Sequence, residues 1–190
     1  RLELLTPVIS ITIEGRQVKM RAWQFLIQGI SGSTVPVYLL DTALAENSAW
    51  DQTLTDSLYG GDERYRLCQE VVLGLGGVAM LEALGYAAQV QYHMNEGHAA
   101  LLTLALLERQ TAGRGLQTST EKDVEAVRTQ CLFTTHTPIP AGHDQFPLEL
   151  ARTVLGNERA AALEATQNCL DGSLNMTYLA LRFSRYVNGV

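Results

Sequence analysis

The sequence predicts an α/β fold, a parallel β-sheet with helices on both of its faces, entered through a strand-rich start. Three observations predict it. The first forty residues are crowded with β-forming runs, residues 62–84 carry apolar side chains at helical spacing, and from residue 89 strand, loop and helix signals alternate. Alternation of that kind is the order of βαβ units. Composition agrees. Hydrophobic residues make up 46% and charged residues 18% of the 190-residue chain. That charged share lies below the roughly 25% of an average domain, so a sizeable core can be buried and a disordered regulator is excluded.

The elements follow in order. Thr6 to Ile13 is β-rich and ends at a Glu14-Gly15 turn signal. From Arg16 to Gln28 the pattern alternates, with Val18, Met20, Ala22, Gln24 and Leu26 on one face and Lys19, Arg21, Trp23, Phe25 and Ile27 on the other. That is a long strand whose ends differ in burial. After a flexible Gly29 to Thr34 turn, the apolar run Val35 to Leu40 reads as a buried strand with Pro36 near its start. Residues 41–61 are polar and irregular, a long loop with room for one helical turn. Asp62 caps the clearest helix, which Gly85 stops. Gly74, Gly76 and Gly77 lower helix propensity inside it, which is tolerated where another backbone packs close.

Gln89 to Met94 reads as a short strand, Asn95-Glu96-Gly97 as a turn, and His98 to Gln110 as a helix. Thr120 with Asp123 caps a helix that runs to Thr129, and Cys131 to Thr135 is a strand. A Pro/Gly-rich loop follows, then helices at about 146–155, 157–165 and 174–184. Ligands of such sheets sit beyond the carboxyl ends of the strands, which selects two loops here, Asn95 to His98 and His136 to Asp144.

Several functions are excluded or disfavoured. A net charge of −6 with no basic run argues against sequence-independent nucleic-acid binding. Three scattered cysteines form no disulfide framework and fit a reducing, cytoplasmic setting. No run of 18 apolar residues provides a membrane span, and the opening RLELLTPVIS has no signal-peptide pattern. Nucleophile-elbow, P-loop and dinucleotide-binding motifs are absent, and GLGG at 74–77 lies inside the helix pattern and reads as packing. His93 and His98, or His136 and His143, lack the compact spacing of a helical zinc pair, so each reads first as a hydrogen-bonded structural histidine. Asp41, Asp62, Glu70 and Glu96 are candidate site acids, although a cap or a solvated face is the plainer reading of each. Residue chemistry by itself stops at an α/β domain with a polar site near Glu96, His98 and His136.

Four segments go further. YHMNEGHAAL at 92–101 and TTHTPIPAGHDQFP at 134–147 resemble two active-site motifs of the α-glucan phosphorylases. YGGDERYRLCQEVVLGLGG at 59–77 and NMTYLALRFSRYVNGV at 175–190 are similar to further segments of that family in the same order, closest to its bacterial and archaeal glycogen/starch branch. The resemblance implies a Rossmann-like sheet, part of the N-terminal domain of a GT-B glycosyltransferase. One partial domain would then fill residues 1–190, with a strand-rich start at 1–40, a long loop at 41–61 and an alternating helix/strand part at 62–190. The family uses pyridoxal phosphate and inorganic phosphate to release glucose phosphate from α-1,4-glucans.

By the same resemblance, Glu96 lines the space beneath the glucosyl ring with His98 beside it, and His136 contacts the transferred glucose. Arg66 is a site-wall arginine, and Asp62 lies near a gating loop. The family's cofactor lysine has no counterpart here, since the chain has only Lys19 and Lys122, neither in a matching motif. The family's glycine-rich phosphate loop would precede residue 1. The resemblance thus implies an internal piece of the domain, inactive by itself, with no cofactor bound and with surfaces that favour a homodimer. The alternatives are a self-standing domain of this fold that binds sugar or a partner protein, and a small hydrolase built on Glu96 and a second carboxylate.

Overall fold

In a computed structural model of the chain, which describes residues 1–58, 60–86, 91–137, 143–166 and 169–190, the strand-rich start is an antiparallel meander of β1 (Leu2–Ile13), β2 (Arg16–Gln28) and β3 (Thr34–Asp41). Tyr59, residues 89–90 of the expected strand and residues 138–142 of the Pro/Gly-rich loop lie outside the described residues. The β1–β2 turn places Glu14 and Gly15 at φ 51° and 74°, the positive values a tight two-residue hairpin requires. Along β2 the expected alternation holds. Val18, Met20 and Ala22 are fully buried, while Leu26 on the same face is 49% exposed, because the sheet runs on past the core.

That overrun corrects one expectation. β3 is not buried, with Val35 58% and Leu39 46% exposed. It pairs with the distal half of β2 and is the edge of its sheet, where Pro36 is tolerated.

The 41–61 segment contains the short helix α1 (Ala49–Gln52), capped by the Ser48 hydroxyl, which accepts from the Asp51 amide at 3.1 Å. It is tied to the hairpin. Buried Asp51 receives Arg16 at 2.6 Å, and the Arg16 and Arg64 guanidiniums lie 5.4 and 4.3 Å from the Trp50 ring centre.

The long helix comprises α2 (Glu63–Val71), one wider π-type turn (Val72–Gly76) and α3 (Gly77–Ala83). Asp62 caps it by accepting from the Tyr65 amide at 2.9 Å. The wide turn falls on the glycine-rich stretch, where α-helical preference is weakest. A β-carbon at Gly74 would stand 2.8 Å from both the Leu101 β-carbon and the Leu102 amide nitrogen. The close approach expected from the glycines is therefore found at Gly74.

Next come β4 (Tyr92–Asn95), α4 (Leu102–Gln110), α5 (Glu121–Arg128) and β5 (Cys131–Thr135). Thr120 and Asp123 form the expected reciprocal cap of α5. Strands β6 (Gln145–Pro147), β7 (Cys169–Leu170) and β8 (Ser173–Asn175) form a small antiparallel sheet that the sequence reading missed. The helices expected from 146 and 174 accordingly begin later, as α6 (Leu148–Leu155) and α8 (Met176–Arg182), with α7 (Asn157–Ala165) between them. Pro147 is extended at ψ 136°, and Asn175 is the cap of α8, accepting from the Tyr178 amide at 3.0 Å.

The chain closes with β9 (Tyr186–Gly189), and the parallel sheet has the order β4-β5-β9. One of its faces, with Tyr92, Met94, Cys131 and Phe133, is buried. On the other, His93, Asn95 and Tyr186 are exposed, so the expectation of cover on both faces is met on one. A single core joins the parts, from Ile13 and Met20 through Leu101 and Phe133 to Phe146 and Phe183. No helix among the described residues is long and apolar enough to cross a membrane.

Candidate active-site cleft

The carboxyl ends of β4 and β5 carry the first polar group. Glu96 follows β4 in a left-handed conformation, φ 63°, which is uncommon for any residue but glycine. Its interactions account for this strained geometry. The Glu96 amide donates to the Thr134 carbonyl at 2.9 Å. The carboxylate turns back to accept from the His136 amide and from the hydroxyls of Thr135 at 3.2 Å and Thr137 at 3.3 Å. Burial works against its ionisation, but these donors win and hold the carboxyl below its usual range. The His136 ring sits 2.7 Å from the Asn95 side-chain oxygen. That oxygen can only accept, so Nε2 of His136 carries the proton and donates.

The second group lies on the other side of the turn. Helix α2 supplies Arg66 and Glu70 one turn apart, the single turn Gly97–Ala99 supplies His98, and the lead-in to β6 supplies Asp144. Arg66 Nη2 donates to Asp144 Oδ2 at 2.9 Å and lies 2.8 Å from His98 Nδ1, itself 2.9 Å from the same Asp144 oxygen. Arg66 Nε is 3.6 Å from Glu70 Oε1. Glu70 is 1% exposed, and among the described residues neither of its carboxyl oxygens has a hydrogen-bond partner at ordinary distance. Burial first, and then the facing Asp144 carboxylate, push the Glu70 carboxyl well above the usual range. Burial acts on Asp144 in the same sense, but there His98, Arg66 and Glu70 outweigh it and keep the group ionised far below that range.

Glu70, His98 and Asp144 bring potential ligand atoms within 4.8 Å of one another, a convergence the histidine spacings did not reveal. A metal does not fit it. Arg66 shares the same oxygen and nitrogen and already supplies the positive charge an ion would bring. His93 and His143 follow the structural reading, bonded to Thr134 and Thr177 at 2.7 Å each. Asp41 is likewise structural, accepting from Arg21 and the Trp23 indole at 2.8 Å each.

Two cavities meet at this group. A polar one of about 620 Å³ is lined by Asp62, Arg66, His98, Thr137, His143 and Asp144 among others. A more apolar one of about 480 Å³ has Leu54, Leu58, Val72 and Leu73 on its walls, with Glu70. Arg66 and His98 line both and so form the partition. Of the residues singled out in the sequence, Asp62, Arg66 and His98 share the polar cavity. Glu96 and His136 are not among its lining residues, but Thr137, which is, donates to the Glu96 carboxylate at 3.3 Å. Asp62 also keeps its plainer role as a helix cap. Asp144, Asn95, Thr135 and Thr137 had not been singled out. An acid immediately after His143, in a loop at a strand end, was the available signal for Asp144.

No protein-family model matches the chain. It is 35% identical over 213 residues to the glycogen phosphorylase of Mycobacterium tuberculosis, a match that covers all of this chain and 24% of that protein. It is 37% identical over 188 residues to the maltodextrin phosphorylase of Thermococcus litoralis, covering 96% of this chain and 21% of that protein. With the glycogen phosphorylase of Aquifex aeolicus it shares 36% identity over 163 residues, covering 81% and 23%. The chain spans about a quarter of the length of these relatives.

Proposed function

This chain is homologous along its whole length to the α-glucan phosphorylases, and from that premise we propose that its polar cleft forms one wall of a glucan-binding site. The observation that carries the reading is Glu96. A carboxylate held ionised at the carboxyl end of a parallel strand, with His136 fixed beside it on Asn95, offers directed acceptors and donors to sugar hydroxyls. Arg66, His98 and Asp62 extend the polar lining. In this reading the substrates of the whole enzyme are an α-1,4-glucan and inorganic phosphate, joined in a GT-B cleft of which this chain supplies one side.

Pyridoxal phosphate, the cofactor this family implies, finds no fit among the residues here. An aldehyde cofactor needs a lysine at the reacting centre. Lys19 pairs with Glu46 at 3.3 Å on the meander sheet, Lys122 is exposed on α5, and neither lines the cleft. No step through that group is therefore assigned to this chain, and turnover by these 190 residues is not expected. Apolar side chains exposed at the far end of the meander, among them Phe25, Leu26 and Ile27, support self-association as a homodimer. A monodisperse monomer across a wide concentration range in sedimentation would count against that.

The test is a titration of the chain with maltoheptaose, followed by amide chemical shifts. Saturable shifts at Asn95, Glu96 and His136, weakened about tenfold or more by Glu96→Ala, are expected. Wild-type protein without saturable shifts there would sink the reading. Release of glucose phosphate on adding maltodextrin, phosphate and pyridoxal phosphate would overturn the expectation of inactivity.

A further inference from the structure

We propose that Asn95 is a positioning residue for His136: its side-chain oxygen holds the ring with hydrogen on Nε2, so that the neutral ring meets the glucan with Nδ1 as a hydrogen-bond acceptor. The use of the ring by a glucan rests on the wall reading above, whereas the hold on it stands on geometry alone. Asn95 is the last residue of β4 and lies opposite Thr134 in the parallel register, so His136, the first residue past β5, leaves the sheet just beyond it. Two consecutive residues grip His136 at different points. The Glu96 carboxylate accepts from its amide, and the Asn95 oxygen lies 2.7 Å from Nε2 of its ring. The backbone grip is itself pinned, because the Glu96 amide donates to the Thr134 carbonyl at 2.9 Å and the Thr135 hydroxyl donates to the Glu96 carboxylate at 3.2 Å. With its main chain fixed in this way, the His136 side chain keeps two rotatable bonds, and the bond to Asn95 stops both.

The chemistry of the holder matters as much as its place. An amide oxygen only accepts, so the ring nitrogen it meets carries hydrogen, and in the neutral ring the other nitrogen is bare. Turning the amide over would set its NH2 group against Nε2 and move the hydrogen to Nδ1. The neutral histidine side chain in water already favours hydrogen on Nε2, so the first arrangement needs no change of tautomer and the second does. An aspartate in the same place would act differently, because a carboxylate on Nε2 favours the doubly protonated ring, in which Nδ1 donates. The charged group beside His136 is Glu96, and its carboxylate is engaged by the His136 amide and two threonine hydroxyls. His93, on the same strand face as Asn95, turns to Thr134 at 2.7 Å. Asn95 and His136 are both exposed, so the edge of the ring is open to a ligand. A bare Nδ1 takes a group that has hydrogen to give, such as a sugar hydroxyl, and refuses an ionised carboxylate.

The test uses the whole 190-residue chain with nitrogen-labelled histidine, at about pH 8, above the ordinary range of histidine titration. The wild-type His136 ring is expected to show its hydrogen on Nε2 and a bare Nδ1, and the Nδ1 signal is expected to move on saturation with maltoheptaose. A hydrogen on Nδ1 overturns the positioning role, and that is read without any variant having to fold. An Nδ1 signal that stays still while the amides of Asn95 and Glu96 shift saturably overturns the acceptor role. Asn95→Asp keeps the shape of the holder and changes its charge. At about pH 7 the ring in that variant is expected to carry hydrogen on both nitrogens, and maltoheptaose affinity is expected to fall about tenfold. A ring still neutral there, or an undiminished affinity with both nitrogens protonated, overturns the role of Asn95 as well. Failure of wild type to bind maltoheptaose would strike the functional reading and the acceptor's use together, while the place of the ring hydrogen still decides whether Asn95 holds His136.

Discussion

Two neighbouring glycines in the long helix should respond to the same substitution with opposite signs. At Gly77 the backbone is helical, φ −59° and ψ −46°, and an added β-carbon meets nothing within 4 Å. Gly77→Ala should therefore gain the helix-propensity difference, about 0.8–1 kcal/mol. At Gly74 the same carbon would stand 2.8 Å from the Leu102 amide nitrogen and 2.8 Å from the Leu101 β-carbon, both of them fixed by the backbone that leaves the Glu96 turn. Neither can rotate away, so overpacking toward the upper end of its usual range, about 3 kcal/mol, opposes a gain of about 1. The net is a loss of about 2 kcal/mol. In a chain of this length 1 kcal/mol moves the melting temperature by about 2–4 °C, so Gly74→Ala should melt about 4–8 °C lower and Gly77→Ala about 2–4 °C higher. Thermal unfolding followed by circular dichroism reads both. Changes of the same sign would refute the close approach of the helix to residues 101–102. A repacked Gly74→Ala should also shift the amides of Glu96 and His98, since Leu101 continues their turn.

Glu70 makes stability depend on pH in an unusual direction. Its folded value is raised, so above about pH 4.3 the folded chain keeps a proton that the unfolded chain releases, and stability from this group falls as pH rises toward the folded value. Glu70→Gln removes that slope, so urea midpoints should favour the variant increasingly from pH 5 to 8, and a constant difference would contradict the raised value. Thr120→Ala breaks the reciprocal cap of α5 and should cost about 1 kcal/mol in the same assay, with Thr120→Ser nearly neutral. Arg16→Met leaves the buried Asp51 carboxylate without its guanidinium. Because Arg16 is itself one-third exposed, the cost should fall at or below the low end for broken buried pairs, about 2–3 kcal/mol, and an unchanged midpoint would show that Ser48 suffices to hold Asp51.

What could be read from the sequence was what local chemistry determines. The β1–β2 hairpin, β5 and the cap of α5 were legible because alternation, a two-residue turn signal and a Thr/Asp pair act within a few residues. β3 was misjudged because burial is not local. An apolar run is buried only if something covers it, and Val35 to Leu40 pairs with the part of β2 that overruns the core. β6 to β8 and β9 were missed because two to four residues are too few to show a period, and their pairing partners decide them.

The cleft divides along the same line. Glu96, His98 and His136 were marked by motif and placed near strand ends, and Arg66 was marked by motif on the long helix. The state of each depends on partners from distant segments. Glu96 is ionised because the chain leaving β5 brings the His136 amide to it across 40 positions. The Glu70 carboxyl is pushed up first by its burial and then by Asp144, which arrives across a still longer separation, and no pattern around Glu70 distinguishes it from a solvated helix acid. Two acids of the same chemistry thus end at opposite extremes. Asp144 is held ionised by a histidine and an arginine, while Glu70 beneath them is neutralised by its burial and by Asp144's charge. Residue type and spacing can nominate the members of such a site, whereas the fold assigns their protons. A perturbation of the site should therefore be sought first in the protonation of Glu70, ahead of any change in backbone position.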